Sequence, residues 1–221
     1  MKLRIIIFLC TFFTVSCTSQ LPLIDHKGIP YEKLNVKEFD KRFDDNPDWQ
    51  KDAFLLEDGT YVQENEYRGN YYQYIISSNA YYGIAKEFYK DGQLKSIGRV
   101  FGNNVKIGIW RFYDEKGILK QEINEDLKFG SFSYNDILKY LHAHNKLKMV
   151  NKDIPAIYYL DAHFDDKKWN ISVFVPVDQS KMCKDCPIGS IDEYNFDTET
   201  GKLIYKKEGI KIVQDFNDLQ N

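Results

Sequence analysis

Two stretches of this chain repeat one another at a fixed distance, and nothing else narrows its folds as much. Gly83, Phe88-Tyr89, Gly92 and Leu94-Lys95 align with Gly108, Phe112-Tyr113, Gly117 and Leu119-Lys120. Gly83 to Gly108 is 25 residues, and so is Gly92 to Gly117. The aromatic pairs are one residue out of step, a slip assigned to an extra residue in one turn. Each unit reads as a strand carrying Phe-Tyr, a glycine turn, and a return strand that begins Leu-Lys. Glycine suits such turns because it takes positive φ at little cost. Phe54 to Tyr61, around Gly59, reads as a degenerate earlier copy. Hairpin units of this kind bury a core only by stacking on neighbours.

Around this repeat the chain divides into four parts. Residues 1–16 are a signal peptide, 17–50 a lipid-anchored tether and short helix, 51–130 the β-hairpin region, and 131–221 a helix plus antiparallel strands. The fold class is therefore α+β: an antiparallel β-hairpin repeat sheet followed by a small helix-plus-strands module. Asn35 and Glu38 can cap a helix over 36–44, with Val36, Phe39 and Phe43 on one face and Asp44-Asp45-Asn46-Pro47 ending it. Ser133 and Asp136 can cap a second, in which Ile137, Leu138 and Leu141 share a face, reaching about Leu147. Tyr158–Phe164, Trp169–Val175, Ile191–Phe196 and Leu203–Lys206 read as strands. The second is the clearest, because Trp169, Ile171, Val173 and Val175 alternate with polar residues.

The hairpin units resemble the variant MORN repeat, which runs Gly-x-Trp, an aromatic pair, Asx-Gly, Leu-Lys. The resemblance covers Gly83 to Glu122. The second copy matches better through Gly108 and Trp110, while the first has Ala85 where Trp is usual. It implies a binding rather than a catalytic surface, antitoxin- or immunity-like. Adjacent aromatics such as Tyr71-Tyr72, Tyr81-Tyr82, Phe88-Tyr89 and Phe112-Tyr113 point to opposite faces of a strand, so one of each pair packs inward and the other can face outward, and Tyr89, Trp110 and Tyr113 are the candidate contacts. The helix-then-strands order closing on Phe196-Asp197 and Thr200-Gly201-Lys202-Leu203 looks like a PepSY-type module, a family that is mostly inhibitory or binding.

The amino terminus is an address. Lys2 and Arg4 precede an apolar run of about eleven residues, too short to span ~30 Å of hydrocarbon. Small Ser16 precedes Cys17, and polar Thr18-Ser19-Gln20 follow. This resembles the bacterial lipobox, although Thr14 stands where that family usually has Leu. The resemblance implies cleavage before Cys17 and diacylation of its thiol, a durable anchor because more than one acyl chain is attached. With no Asp after Cys17, the expected place is the outer membrane, facing the periplasm.

Composition excludes more than it selects. Thirty basic residues against 33 acidic ones give a net charge of -3, which leaves no electrostatic footprint for nucleic acid. Cys183 and Cys186 are the remaining mature cysteines, and an oxidising envelope favours a disulfide between them. A redox pair would need a helix amino terminus, and zinc would need two further ligands. His142 and His144 stand about 200° apart on a helix, so they cannot share an ion, and His163 could join only one. Asp161, Asp165 and Asp166 lack the spacing of a calcium loop. No metal, cofactor or catalytic motif is expected.

The function expected is a non-enzymatic envelope lipoprotein that binds a partner protein through its β-repeat surface. The alternatives are a structural or glycan-binding lipoprotein, and a thiol-redox factor using Cys183 and Cys186. Membrane-extracted protein should carry a diacylglyceryl mass at a Cys17 amino terminus and no free thiol after denaturation. Intact-mass measurement of the parent and of Cys17→Ala, with thiol counting, checks both.

Overall fold

The computed structural model describes residues 32–45, 53–77, 80–102, 105–147, 159–176 and 187–213. All of them lie in the larger of two compact units, Tyr31–Asn221. Cys17, Cys183 and Cys186 lie outside the described residues.

The chain runs as a helix, a seven-stranded sheet, a second helix and a four-stranded sheet. Helix α1 (Val36–Asp45) leads into β1 (Ala53–Leu55), β2 (Tyr61–Tyr67), β3 (Asn70–Ile76), β4 (Tyr82–Phe88), β5 (Leu94–Phe101), β6 (Val105–Tyr113) and β7 (Leu119–Asn124). These pair antiparallel in sequence order, β1 through β7. A 3-10 turn (Glu125–Lys128) and α2 (Tyr134–Ala143) follow, then β8 (Leu160–Asp165), β9 (Lys168–Pro176), β10 (Pro187–Asp197) and β11 (Leu203–Val213), again an antiparallel meander. The α+β class with its hairpin sheet is thus the architecture observed.

Three hairpins share one turn. Gly59, Gly92 and Gly117 have φ of 79°, 84° and 75°. Each glycine N–H donates to the carbonyl three residues back: Leu56, Tyr89 and Asp114. The strand partners flanking the turns are Leu55↔Tyr61, Phe88↔Leu94 and Tyr113↔Leu119, six apart in every case. This corrects the alignment of the aromatic pairs. Phe88 is equivalent to Tyr113, not to Phe112, and the two units keep step at 25 residues throughout. The irregularity lies elsewhere, in matching register shifts between Glu87 and Phe88 and between Phe112 and Tyr113.

Helix α1 lies on one face of the sheet, here called the inner face. Asn35 caps it as expected, its Oδ1 accepting from the Glu38 N–H at 3.3 Å. Phe39 is 1% exposed and meets the Tyr71 ring edge-on at 4.7 Å. Arg42 donates to the buried Glu64 carboxylate through Nη2 at 2.6 Å and Nε at 3.1 Å, while Gln73 Nε2 reaches the other oxygen at 2.9 Å. A buried carboxylate is tolerated because its oxygens are bonded.

The rest of the inner face is covered by α2 and the second sheet. Phe101 and Ile107 from the large sheet, Ile137 and Leu141 from α2, and Trp169 and Phe196 from the small sheet all belong to one buried cluster. Packing therefore has no boundary at residues 130 and 131, and the two sequence modules share a core. Backbones come close enough that a Cβ on Gly102 would lie 2.8 Å from Ala162 Cβ, which only glycine avoids.

Helix α2 begins at Ser133, whose N–H and hydroxyl both donate to Asp136 Oδ2, at 3.0 and 2.8 Å. It stops at Ala143, short of Leu147. Asn145 adopts φ of 56°, the Lys146 N–H returns to the Leu141 carbonyl and the Asn145 N–H to that of His142. This is a Schellman ending with Asn in the left-handed position.

That ending aims Lys146 at the small sheet. Its Nζ lies 3.0 Å from Asp192 Oδ2 and 2.5 Å from Glu208 Oε1. Tyr194 OH donates to Glu208 Oε1 at 2.9 Å, and Lys206 lies 3.0 Å from Oε2. Burial works against the Lys146 charge, but the bonds to Glu208 and Asp192 outweigh it and raise its pKa. Bonds from Lys146 first, and from Lys206, bring Glu208 down from 4.5 to about 2. The group also accounts for β11 running to Val213 rather than ending at Lys206: the strand beyond it carries a Gly209 N–H bonded to Asp192 Oδ1 at 2.8 Å.

A lowered carboxylate pKa contributes stability above the unfolded value and loses it as the pH falls through the folded one. The thermal midpoint should therefore drop between about pH 4.5 and 2, in step with Glu208 protonation. Glu208→Gln should lower the midpoint at neutral pH and remove that part of the acid dependence, measured by thermal unfolding across the range.

Candidate binding face on the seven-stranded sheet

The opposite, outer face carries a different set of side chains. Strand alternation places successive residues on opposite faces. Register then assembles a cross-strand row Tyr72↔Glu87↔Ser96↔Phe112↔Gln121. Beside it run Tyr74↔Ala85↔Gly98 and Trp110↔Ile123. Ala85, Val100 and Trp110 form a small buried cluster against which Tyr74 and Phe112 pack half-buried.

Trp110 is the centre of this cluster but not its exposed surface. It is 5% exposed, and its Nε1 donates to the Arg99 carbonyl at 3.0 Å. The ring lies flat on Gly98: a Cβ there would fall 2.2 Å from the indole carbons. This corrects the expectation that Trp110 is itself a contact residue. Its ring instead supports the surface around it, with Phe112 at 6.3 Å and Lys106 Nζ 4.1 Å from its centroid. Lys106 also reaches the Phe112 ring at 5.5 Å, a cation held over two aromatic faces.

At one end of the strip Glu87 gathers donors. Tyr72 OH donates to it at 3.1 Å, Lys95 Nζ at 2.7 Å and Ser96 Oγ at 3.5 Å. The bond to Glu87 raises the Lys95 pKa. Burial, then the Glu87 charge, raises those of Tyr72 and Tyr74, so both phenols remain donors at neutral pH.

Tyr89 and Tyr113 come together as well. Tyr89 OH donates to the Tyr113 carbonyl at 2.8 Å, tying two hairpin ends, and Lys95 stands 5.7 Å over the Tyr89 ring. Tyr113 is half-buried on the inner-face side, equivalent to Phe88, so it does not join the outer strip. Tyr72, Tyr74, Phe112 and Lys106 were not singled out from the sequence as contacts. Adjacent aromatics on a strand point to opposite faces, but the sequence does not say which of the two faces outward. The available signal for Trp110 was Gly98, since glycine within a strand marks a close approach.

The other candidate residues form no site. His144 Nδ1 lies 2.7 Å from the Tyr140 carbonyl with its ring stacked on Tyr140 at 4.0 Å, and His163 Nε2 lies 3.0 Å from Asp161. Among the described residues no group of His, Cys, Asp and Glu could hold a metal ion. An open cleft of about 880 Å³ beside Lys106 is lined by Lys128, His163 and Asp165 among others. Lys128 is already paired with Glu125 at 2.8 Å. Among the described residues no helix is long and apolar enough to cross a membrane.

Compared with known proteins, the chain matches no family model, no curated protein and no solved structure.

Gly98→Ala tests the support role of Trp110. The added methyl must displace the indole, at a cost of about 1–3 kcal/mol. The thermal midpoint should fall by several degrees and the tryptophan emission should shift to the red. Unchanged emission would mean that the ring is not seated there.

Proposed function

We propose that this chain is a non-enzymatic, lipid-anchored cell-envelope protein that binds a partner protein through the outer face of its seven-stranded sheet. The observation that carries the reading is the strip of half-buried Tyr72, Tyr74 and Phe112, with Tyr74 and Phe112 packed on the Trp110 cluster, Tyr72 bonded to Glu87 and Lys106 at its border. Aromatic side chains with polar tips offer large, rigid contact area at small entropic cost, which is why interfaces are enriched in them. The strip is fixed from beneath by the Trp110–Gly98 contact and at its end by Glu87, so little ordering remains to be done on binding.

The hairpin units, in step at 25 residues and alike in turn and strand pairing, support the variant MORN reading. With it goes the antitoxin- or immunity-like role that the resemblance implies. The anchor at Cys17 and the outer-membrane, periplasm-facing location rest on the amino-terminal sequence.

A photo-crosslinking residue in place of Phe112, in native membranes, should give one defined protein adduct. The same residue in place of Lys202, on the exposed loop before β11, should not. Tyr74→Ser should lower the adduct yield from position 112 several-fold while leaving the thermal midpoint within a few degrees. Equal adducts from both positions, or none from either, would overturn the proposal. Sedimentation with peptidoglycan in the absence of any protein adduct would favour the glycan-binding alternative.

A further inference from the structure

Among the described residues two buried side-chain polar atoms have no hydrogen-bond partner, Gln93 Oε1 and Arg99 Nε. A neutral amide oxygen so placed costs less than a guanidinium, whose charge needs an acid or several acceptors once it leaves water. The other described arginines are provided for. Arg42 pairs with Glu64 and Arg111 with Glu122, while Arg68 stands exposed in the turn after β2. Arg99, half-buried in β5, forms no ion pair among the described residues. Its guanidinium lies 4.3 Å from the centre of the Tyr82 ring. The two terminal nitrogens are unbonded as well, but unlike Nε they reach the surface.

Arg99 projects from the inner face, by alternation with Gly98 on the outer one, between Ile84 of β4 and Ile107 of β6. Tyr134 of α2 shares its neighbourhood. Burial raises the Tyr134 pKa, the Asp126 charge adds to this, and the Arg99 charge opposes it. Asp126 is not the missing acid: its Oδ1 accepts from the Gly108 N–H at 2.7 Å, and neither of its oxygens pairs with Arg99.

The cover over the inner face thins at the same place. Ile107 and Arg111 stand opposite Arg99 and Ile97, so residues 108–110 of β6 face Gly98 alone. This bulge, with Gly108 at φ of 64°, leaves Ile109 on the side opposite Trp110 and 47% exposed. Ile84, across the sheet, is half-buried. An unpaired cationic fork thus lies between two accessible apolar side chains.

We infer that Arg99 anchors a small carboxylate with an apolar body. The two terminal nitrogens receive the two carboxylate oxygens end-on, a geometry in which guanidinium and carboxylate match, and the body lies along Ile84 and Ile109. One guanidinium with Asp126 close by suits a single negative charge better than a phosphate dianion. The site is on the face opposite the aromatic strip and does not need the partner reading given above.

The test uses the full-length protein in a nonionic detergent, with hexanoate as probe and ligand-observed NMR to measure affinity. Hexanoate should bind saturably at one site per chain, and hexanol about tenfold more weakly. Arg99→Met should weaken hexanoate about tenfold, and Arg99→Lys, which keeps the charge without the fork, should not restore it. Ile109→Ser, at an exposed position, should weaken hexanoate several-fold with the thermal midpoint unchanged, a readout that holds even if the Arg99 variants fold poorly. Since Arg99→Met removes a cation that nothing compensates, the ligand-free midpoint should stay within a few degrees of the parent's. Four results would each overturn the proposal: no saturable hexanoate binding, equal affinity in Arg99→Met, hexyl phosphate bound more tightly than hexanoate, or a ligand-free midpoint far lower in Arg99→Met. The last would assign Arg99 to the fold.

Discussion

Phe101 is the residue on which the two halves of the molecule depend. It closes β5 with no exposed surface, and its ring meets Tyr134 of α2 at 5.7 Å and Trp169 of the small sheet at 5.9 Å. A seven-stranded antiparallel sheet offers two faces, and a chain of this length cannot cover both completely. The inner face receives α1 at one end and α2 with the second sheet at the other. Phe129, between the sheets, meets Trp169 at 4.6 Å and Phe164 at 5.0 Å. The core is therefore a three-layer aromatic contact and not two separate cores side by side.

Strand β5 illustrates how the same constraint shapes the outer face. Ile97 and Phe101 point into the inner core, while Ser96, Gly98 and Val100 lie buried on the other side. Burial on the outer side, without a covering helix, is achieved by laying a large ring flat on the backbone. Trp110 does this over Gly98 and could not do so over any residue bearing a Cβ. The outer aromatic strip is thus a packing solution first. Its value as a contact surface follows from the rigidity that packing confers.

Local signals were the legible ones. Asn35 with Glu38 and Ser133 with Asp136 marked two helix starts, and the alternation from Trp169 to Val175 marked β9. Gly92 and Gly117 marked their turns, because positive φ is a local demand. The spacing of 25 was read correctly from glycines and misread from the aromatic pairs. Phe-Tyr pairs look alike in sequence, but the face a residue takes depends on its strand register, a non-local property. Burial of Trp110 escaped for the same reason, since its partner Gly98 lies on the neighbouring strand. The far half of β11 escaped because Lys206-Lys207-Glu208-Gly209 has no alternation. It is held as a strand by pairing with β10 and by the Asp192 and Lys146 contacts.

The edges and the open face belong to one physical problem. Closing the sheet into a barrel would have removed the edges, but the inner face is instead filled by α1, α2 and the second sheet. The chain keeps an open meander and treats its margins differently: β1 is cut short, β11 is loaded with lysine, and β7 carries a bulge at Lys120. The β7 edge and the outer face meet at Phe112, whose ring ends the strip and whose backbone pairs with Gln121 of the edge strand. Any strand added at β7 would therefore change the surface that the aromatic strip presents.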